Sequence, residues 1–170
     1  MIQAAQKNNK ELFVVKQNRY NPAIVELKKI IEERKLGAIF SVQLNCFWHR
    51  DQNYYEESLW RGTRSLDGGV LYTQFSHFID LLLWLVQDDV FEVQCLMNNF
   101  LHQGITETED TGVVNMRFKK GIIGSIHFTT NSYKKNMEGS ITVFGEFGTV
   151  KIGGEYLNQL IYQQISNYTM

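Results

Sequence analysis

From Val90 onward the chain is nearly all strand, and this limits what it can fold into more than any other feature. Val90–His102, Asp110–Lys119, Ile122–Asn131, Gly139–Phe144 and Thr149–Ile152 are rich in β-branched and aromatic residues. Lys119-Lys120-Gly121 and Gly145-Glu146-Phe147-Gly148 connect them in hairpin fashion, which favours antiparallel neighbours. A single proline in the whole sequence leaves such long strands unbroken. An earlier strand, Ala38–His49, alternates Phe40, Val42, Leu44, Cys46 and Trp48 with Ser41, Gln43, Asn45 and His49, so one of its faces meets a core.

Two helices complete the pattern. Asn21 as N-cap and Pro22 at the first helical position start one that Gly37 closes, with Ile24, Leu27 and Ile31, and on a neighbouring ridge Val25 and Ile30, as its apolar face. The other lies within Trp60–Leu85, opened by Gly68-Gly69. This order of elements predicts an α+β fold: an open, largely antiparallel sheet of about five to six strands with two main helices packed on one face. The other face would carry Gln43, Asn45, Asn115, Arg117, Ser125, His127 and Thr129, polar without being strongly charged. Such a face is either solvated or covered by a second copy of itself.

At 170 residues the chain can bury one real core. Met1–Asn9 reads as the tail of a helix and Glu11–Lys16 as a short buried strand without a proper beginning, the pattern of a cut chain, whereas Glu155–Met170 is an edge strand or a frayed tail. The net charge of −1, from 17 basic and 18 acidic side chains scattered along the sequence, gives no reason to expect nucleic acid or an anionic membrane as partner. Cys46 and Cys95 fall inside strands without C-x-x-C spacing and read as reduced, buried thiols, neither a disulfide frame nor a metal site. The longest apolar stretch, Phe78–Val86, is interrupted by Asp80 and falls short of the ~20 residues of a membrane span. Gln3, Gln6, Lys7 and Asn8 interrupt any signal-peptide core, and the expectation is a soluble, cytoplasmic protein.

The residues that carry chemistry concentrate in Trp60–Leu85. His77 and Asp80 are three apart on the helix, with Thr73 one turn earlier on the same side. His77 is either a core histidine satisfied by Asp80, Ser76 or a carbonyl, or a neutral imidazole facing a cavity and able to exchange a proton. Just upstream, Arg50–Arg64 holds three arginines, two tyrosines and a tryptophan. With the helix start at Gly68-Gly69 it makes either an anion clamp or a solvated loop anchored by Trp60. A further polar cluster, Lys16–Asn21, is a hinge with ligand contacts or a capped turn. No G-x-G-x-x-G after a strand, P-loop, H-E-x-x-H or serine elbow is present.

KQNRYNPAIVELK, the WRGT loop, GGVLYTQFSHFIDLLLWL and the later EDTGVV, FKKGIIGSI and EGSITVFGEFGTVKIGG together resemble the C-terminal domain of the glucose-fructose oxidoreductase, inositol dehydrogenase and rhizopine-catabolism family, Gfo/Idh/MocA. The resemblance runs from about Phe13 to Gly154. Within the family the RDQ, YY, WRGT, LDGGVL, SH and ID series is most similar to UDP-N-acetylglucosaminuronate 3-dehydrogenases of surface-polysaccharide (lipopolysaccharide) synthesis, which oxidise the sugar C3 hydroxyl with NAD. The resemblance implies that residues 1–16 are the end of a Rossmann domain, 17–154 a substrate-binding and oligomerisation domain, and 155–170 a tail. It makes NAD the cofactor of the parent protein, with none bound by this fragment, which alone is expected to be inactive. The implied partners are a UDP-sugar, the N-terminal Rossmann domain and further copies in a homo-dimer or tetramer formed through the open sheet face. His77 matches the histidine beside the reacting hydroxyl; Arg61 and Gln74, then Tyr55 and Arg50, line the sugar-nucleotide site; Asn18 and Arg19 lie where the domain junction nears the cleft. Inositol dehydrogenase-like members place an aspartate four residues before the histidine, where this chain has Thr73, leaving Asp80 to orient the ring. The alternatives are a non-catalytic interaction module, or a dehydrogenase domain for a free sugar or inositol.

Overall fold

The computed structural model describes all residues, Met1–Met170. The elements run α1 (Ile2–Lys7), a 3-10 turn (Gln17–Tyr20), α2 (Pro22–Glu32), β1 (Ile39–Phe47), α3 (Gln52–Glu56), α4 (Val70–Thr73), α5 (Ser76–Val86), β2 (Val90–Asn98), β3 (Thr111–Phe118), β4 (Ile123–Thr129), β5 (Glu138–Gly145), β6 (Gly148–Gly153) and β7 (Gln159–Ile165). The strands form one seven-stranded sheet in the order β2-β3-β4-β1-β5-β6-β7. Every neighbouring pair is antiparallel except β1 and β4, which run parallel at the centre. The class is α+β, with α2 and α5 against one face.

The core lies between those two helices and the sheet. Ile24, Leu27 and Ile30 of α2 and Phe78, Leu81, Leu82 and Leu85 of α5 join Val42, Leu44, Cys46, Ile126, Phe128, Ile141, Val143, Val150 and Ile152 in one buried cluster. The alternation of β1 is obeyed from Val42 to Cys46, but Phe40 is 55% exposed. A register shift between Ile39 and Ser41 against β5 explains this: the bulge reverses the phase, and Ile39 packs on the core in place of Phe40. On α2, Val25 is exposed and Ile31 only half-buried, so the buried stripe is narrower than its apolar face. Pro22 starts the helix as expected, but Asn21 does not cap it. Its amide nitrogen donates instead to the carbonyls of Tyr156 and Leu157, tying α2 to the C-terminal segment.

One open reading is decided and three further expectations are corrected. Of the two readings of Glu155–Met170 the edge strand holds, because Gln159–Ile165 adds a seventh strand beside β6, with Leu157 and Ile165 buried. Glu11–Lys16 forms no strand: Leu12, Phe13, Val14 and Val15 are all exposed and no neighbouring strand of the chain pairs with them. Cys95 is exposed and Cys46 buried, both free, because every residue of the edge strand β2 lies outside the helix cover. The helix opened by Gly68-Gly69 is two short helices, broken at Gln74-Phe75. No helix is long and apolar enough to cross a membrane.

Candidate functional site

The break between α4 and α5 builds the centre of the site. Gly69, at φ +100°, is the N-cap of α4, a backbone geometry that suits glycine, and four residues later the chain turns again. Phe75 anchors that turn: it is fully buried and its ring lies 5.3 Å from Trp48 and 6.1 Å from both Phe78 and Phe128. Gln74 and His77 flank this anchor, each half-buried. Oε1 of Gln74 and Nδ1 of His77 are shielded from solvent and have no hydrogen-bond partner within the chain. Buried polar atoms are nearly always paired, so two orphans three residues apart make this turn a candidate ligand surface.

Burial chiefly, and then the Lys16 ammonium, lower the proton affinity of His77 below the ordinary histidine value, while Asp80 partly offsets them. The imidazole is therefore neutral at pH 7. Lys16 reaches the same turn, its Nζ donating to Ser76 Oγ at 3.1 Å. Asp80 does not orient the His77 ring. Arg19 takes both of its oxygens, Nε to Oδ2 at 2.8 Å and Nη2 to Oδ1 at 2.6 Å, with the guanidinium 5.3 Å from the centre of the Trp84 ring. This fork straps the Gln17–Tyr20 turn onto α5, and it engages an arginine that the sequence offered for ligand contact. Asn18 stands half-buried in the same turn.

The arginine loop is internally braced. Arg50 donates from Nη1 to the His49 carbonyl at 2.6 Å and to Asn136 Oδ1 at 3.3 Å, and its guanidinium sits 5.0 Å from the ring centres of both Trp48 and Tyr54. Arg61 donates from Nη1 to the Tyr54 carbonyl at 2.7 Å and to Glu57 at 2.9 Å, and lies over the Tyr54 ring at 4.2 Å. Nε of each arginine is shielded and unpaired. Tyr55 is buried, and burial pushes its phenol up. The Gly68-Gly69 end carries carboxylates rather than an open anion cradle. Asp67 is buried with Oδ2 accepting from the Gly62 amide at 2.6 Å, and Glu109 Oε1 lies 3.1 Å from where a Cβ on Gly69 would stand.

Trp48 brings the two clusters together. Its ring packs on Phe75 and Phe78 at 5.3 and 5.5 Å and lies beneath Arg50, which places Arg50 one aromatic ring away from the Gln74–His77 turn. Sequence reasoning had Trp48 as core and passed over Asn136, the side chain that fixes both Arg50 and the His49 amide. Nothing local marks Asn136, since its contacts span more than eighty residues.

The model of the GFO/IDH/MocA C-terminal domain matches residues 24–151. The chain belongs to the GFO/IDH/MocA family. It is similar to the WlbA dehydrogenase of Bordetella pertussis, solved with NADH and UDP-GlcNAcA, at 41% identity and a TM-score of 0.89, covering 98% of this chain and 51% of that one. The WlbA dehydrogenase of Chromobacterium violaceum, solved with the same two ligands, matches at 41% and 0.89, covering 99% and 48%. Levoglucosan dehydrogenase of Pseudarthrobacter phenanthrenivorans is 24% identical over 184 residues, 94% of this chain and 46% of the relative. The chain of this family member thus spans about half the length of the relatives it matches.

Proposed function

We propose that this domain is the substrate-binding half of an NAD-dependent dehydrogenase that oxidises the C3 hydroxyl of a UDP-linked N-acetylglucosaminuronate in surface-polysaccharide synthesis in the cytoplasm. The observation that carries the proposal is the pair of shielded, unpartnered atoms at Gln74 and His77, in a chain 41% identical to two dehydrogenases solved with UDP-GlcNAcA. On this reading His77 accepts the hydroxyl proton on a ring nitrogen, a role its neutral state at pH 7 permits. Gln74 hydrogen-bonds the sugar, and Arg61 and Arg50, held flat against aromatic rings, face the diphosphate. Lys16, Asn18 and the Arg19–Asp80 fork fix the junction beside the cleft.

The residues present do not fit a dinucleotide. Gly69, which opens α4, faces the Glu109 carboxylate, and α4 has only four residues. NAD, the hydride acceptor, would be held by an N-terminal Rossmann domain, of which residues 1–16 are the end. The exposed run Leu12–Val15 fits a strand whose partners lie in that domain. By itself the 170-residue chain then turns over no substrate. The polar open face, together with the uncovered β2, supports association of copies into a dimer or tetramer.

Backbone NMR shifts of the chain titrated with UDP-N-acetylglucosaminuronate, UDP-glucose and myo-inositol test the proposal. Perturbations centred on Arg61, Gln74 and His77 are expected with the uronate and not with inositol. Equal response to inositol would favour the free-polyol alternative, and no response at those residues would remove the substrate assignment.

A further inference from the structure

Behind the arginine loop lies a second buried histidine that the proposed chemistry does not use. His102 and Asp110, in and at the end of the β2–β3 connection, are 4% and 1% exposed. His102 Nδ1 lies 3.2 Å from Asp110 Oδ2, and Nε2 lies 2.9 Å from the main-chain carbonyl oxygen of Arg50. A carbonyl oxygen can only accept. So can the Asp110 carboxylate, which already receives the amides of Phe100, Leu101 and His102 at 3.1, 2.9 and 3.3 Å. Against the opposing effect of burial, hydrogen bonds hold the Asp110 carboxyl below the usual carboxylate range, so it is ionised. A neutral imidazole has one N–H and can serve only one of these two acceptors.

We infer that His102 is protonated on both ring nitrogens and acts as a strap that fixes the Arg50–Leu66 loop to the β2–β3 connection through the Arg50 carbonyl. It is a positioning residue. The ring touches the Arg50 main chain and not its guanidinium, which lies between Trp48 and Tyr54 on a backbone that His102 holds. Tyr55 of α3 adds an edge-on ring contact at 4.9 Å. The titratable and charged groups around the imidazole are Asp110 and Tyr55 in contact and, along the adjoining cleft, His49, Arg50, Asp51 and Lys134. Asp110 is pinned by three amides, so the bond to the Arg50 carbonyl is the one that ties the loop to this fixed point. The strap holds the start of the loop in place. Its bearing on ligand binding rests on the proposed role of Arg50 and Arg61; the protonation itself does not.

NMR of the 170-residue chain without nucleotide sugar tests the strap separately from that role. At pH 7 the wild type should show two protected ring N–H signals from His102, and Asp110→Asn should lose one of them. In His102→Gln, whose single amide group cannot bridge both acceptors, amide exchange across Tyr54–Leu66 should quicken by about tenfold while that of β4 and β5 stays unchanged. One ring N–H in the wild type overturns the inference whether or not a variant folds, and so does loop exchange indifferent to His102→Gln.

Discussion

A neutral, half-buried histidine beside a lysine and one turn from a neutralised aspartate has a definite acid–base character. In the full-length enzyme, His77→Asn is expected to lower kcat by about 10²- to 10⁴-fold with little change in KM for the nucleotide sugar, as steady-state kinetics would show. Because burial and Lys16 lower the His77 proton affinity, the acidic limb of the kcat/KM profile should lie below the ordinary value of 6.5 and disappear in that variant. The sign for stability is the same: a depressed folded-state value means that stability present above about pH 6.5 is lost as pH falls toward the folded value, which denaturant midpoints at pH 5 and 8 would register. Breaking the Arg19–Asp80 fork with Arg19→Ala should cost no more than about 1 kcal/mol, since both side chains are partly solvated. It should also move the acidic limb upward, because Asp80 would then act on His77 without its counter-charge. His77 is legible in the sequence, since a polar residue in an apolar helix stands out. The fork is not, because its partners lie 61 positions apart and each looks like an ordinary surface charge.

At the level of elements, strand periodicity and turn chemistry disclosed six of the seven strands. The seventh, Gln159–Ile165, reads equally as an edge strand or a frayed tail, because its residues are largely exposed at an edge and show no alternation. Hairpin connections also say nothing about β1 and β4, whose parallel pairing brings together strands far apart in sequence. The α4–α5 break contains neither proline nor glycine; it exists because Phe75 must turn into the core, a tertiary demand that local propensity does not reveal. Two substitutions probe this packing. Phe78→Ala should destabilise the fold by about 3–5 kcal/mol, since its ring is fully buried against Trp48 and Phe75. Gly139→Ala should cost about 1–3 kcal/mol, because its Cβ would stand 2.7 Å from the Glu155 carbonyl oxygen and 2.8 Å from the Phe78 ring. Urea denaturation measures both.

Considered whole, the molecule has one well-made side and one unfinished side. The helices bury their face of the sheet, while β2 exposes Phe91, Val93, Leu96 and Met97, and the segment before the first turn exposes Phe13, Val14 and Val15. If copies associate through the open sheet, Leu96→Lys should shift sedimentation toward the monomer without changing the His77 signals. The family and the domain class were legible in the sequence because their motifs are ordered along it. How the arginines are braced was not, since that depends on Trp48 and Asn136 meeting them in space. The central claim is that this half supplies the substrate chemistry and another half the cofactor. Joining the chain to the N-terminal half of the Bordetella pertussis relative and following NADH formation from UDP-N-acetylglucosaminuronate tests it most directly. The account predicts turnover by the chimera, its loss in His77→Asn, and none from the chain alone. Turnover by the chain alone, or a folded, NADH-binding chimera that is inactive or indifferent to His77→Asn, would contradict it.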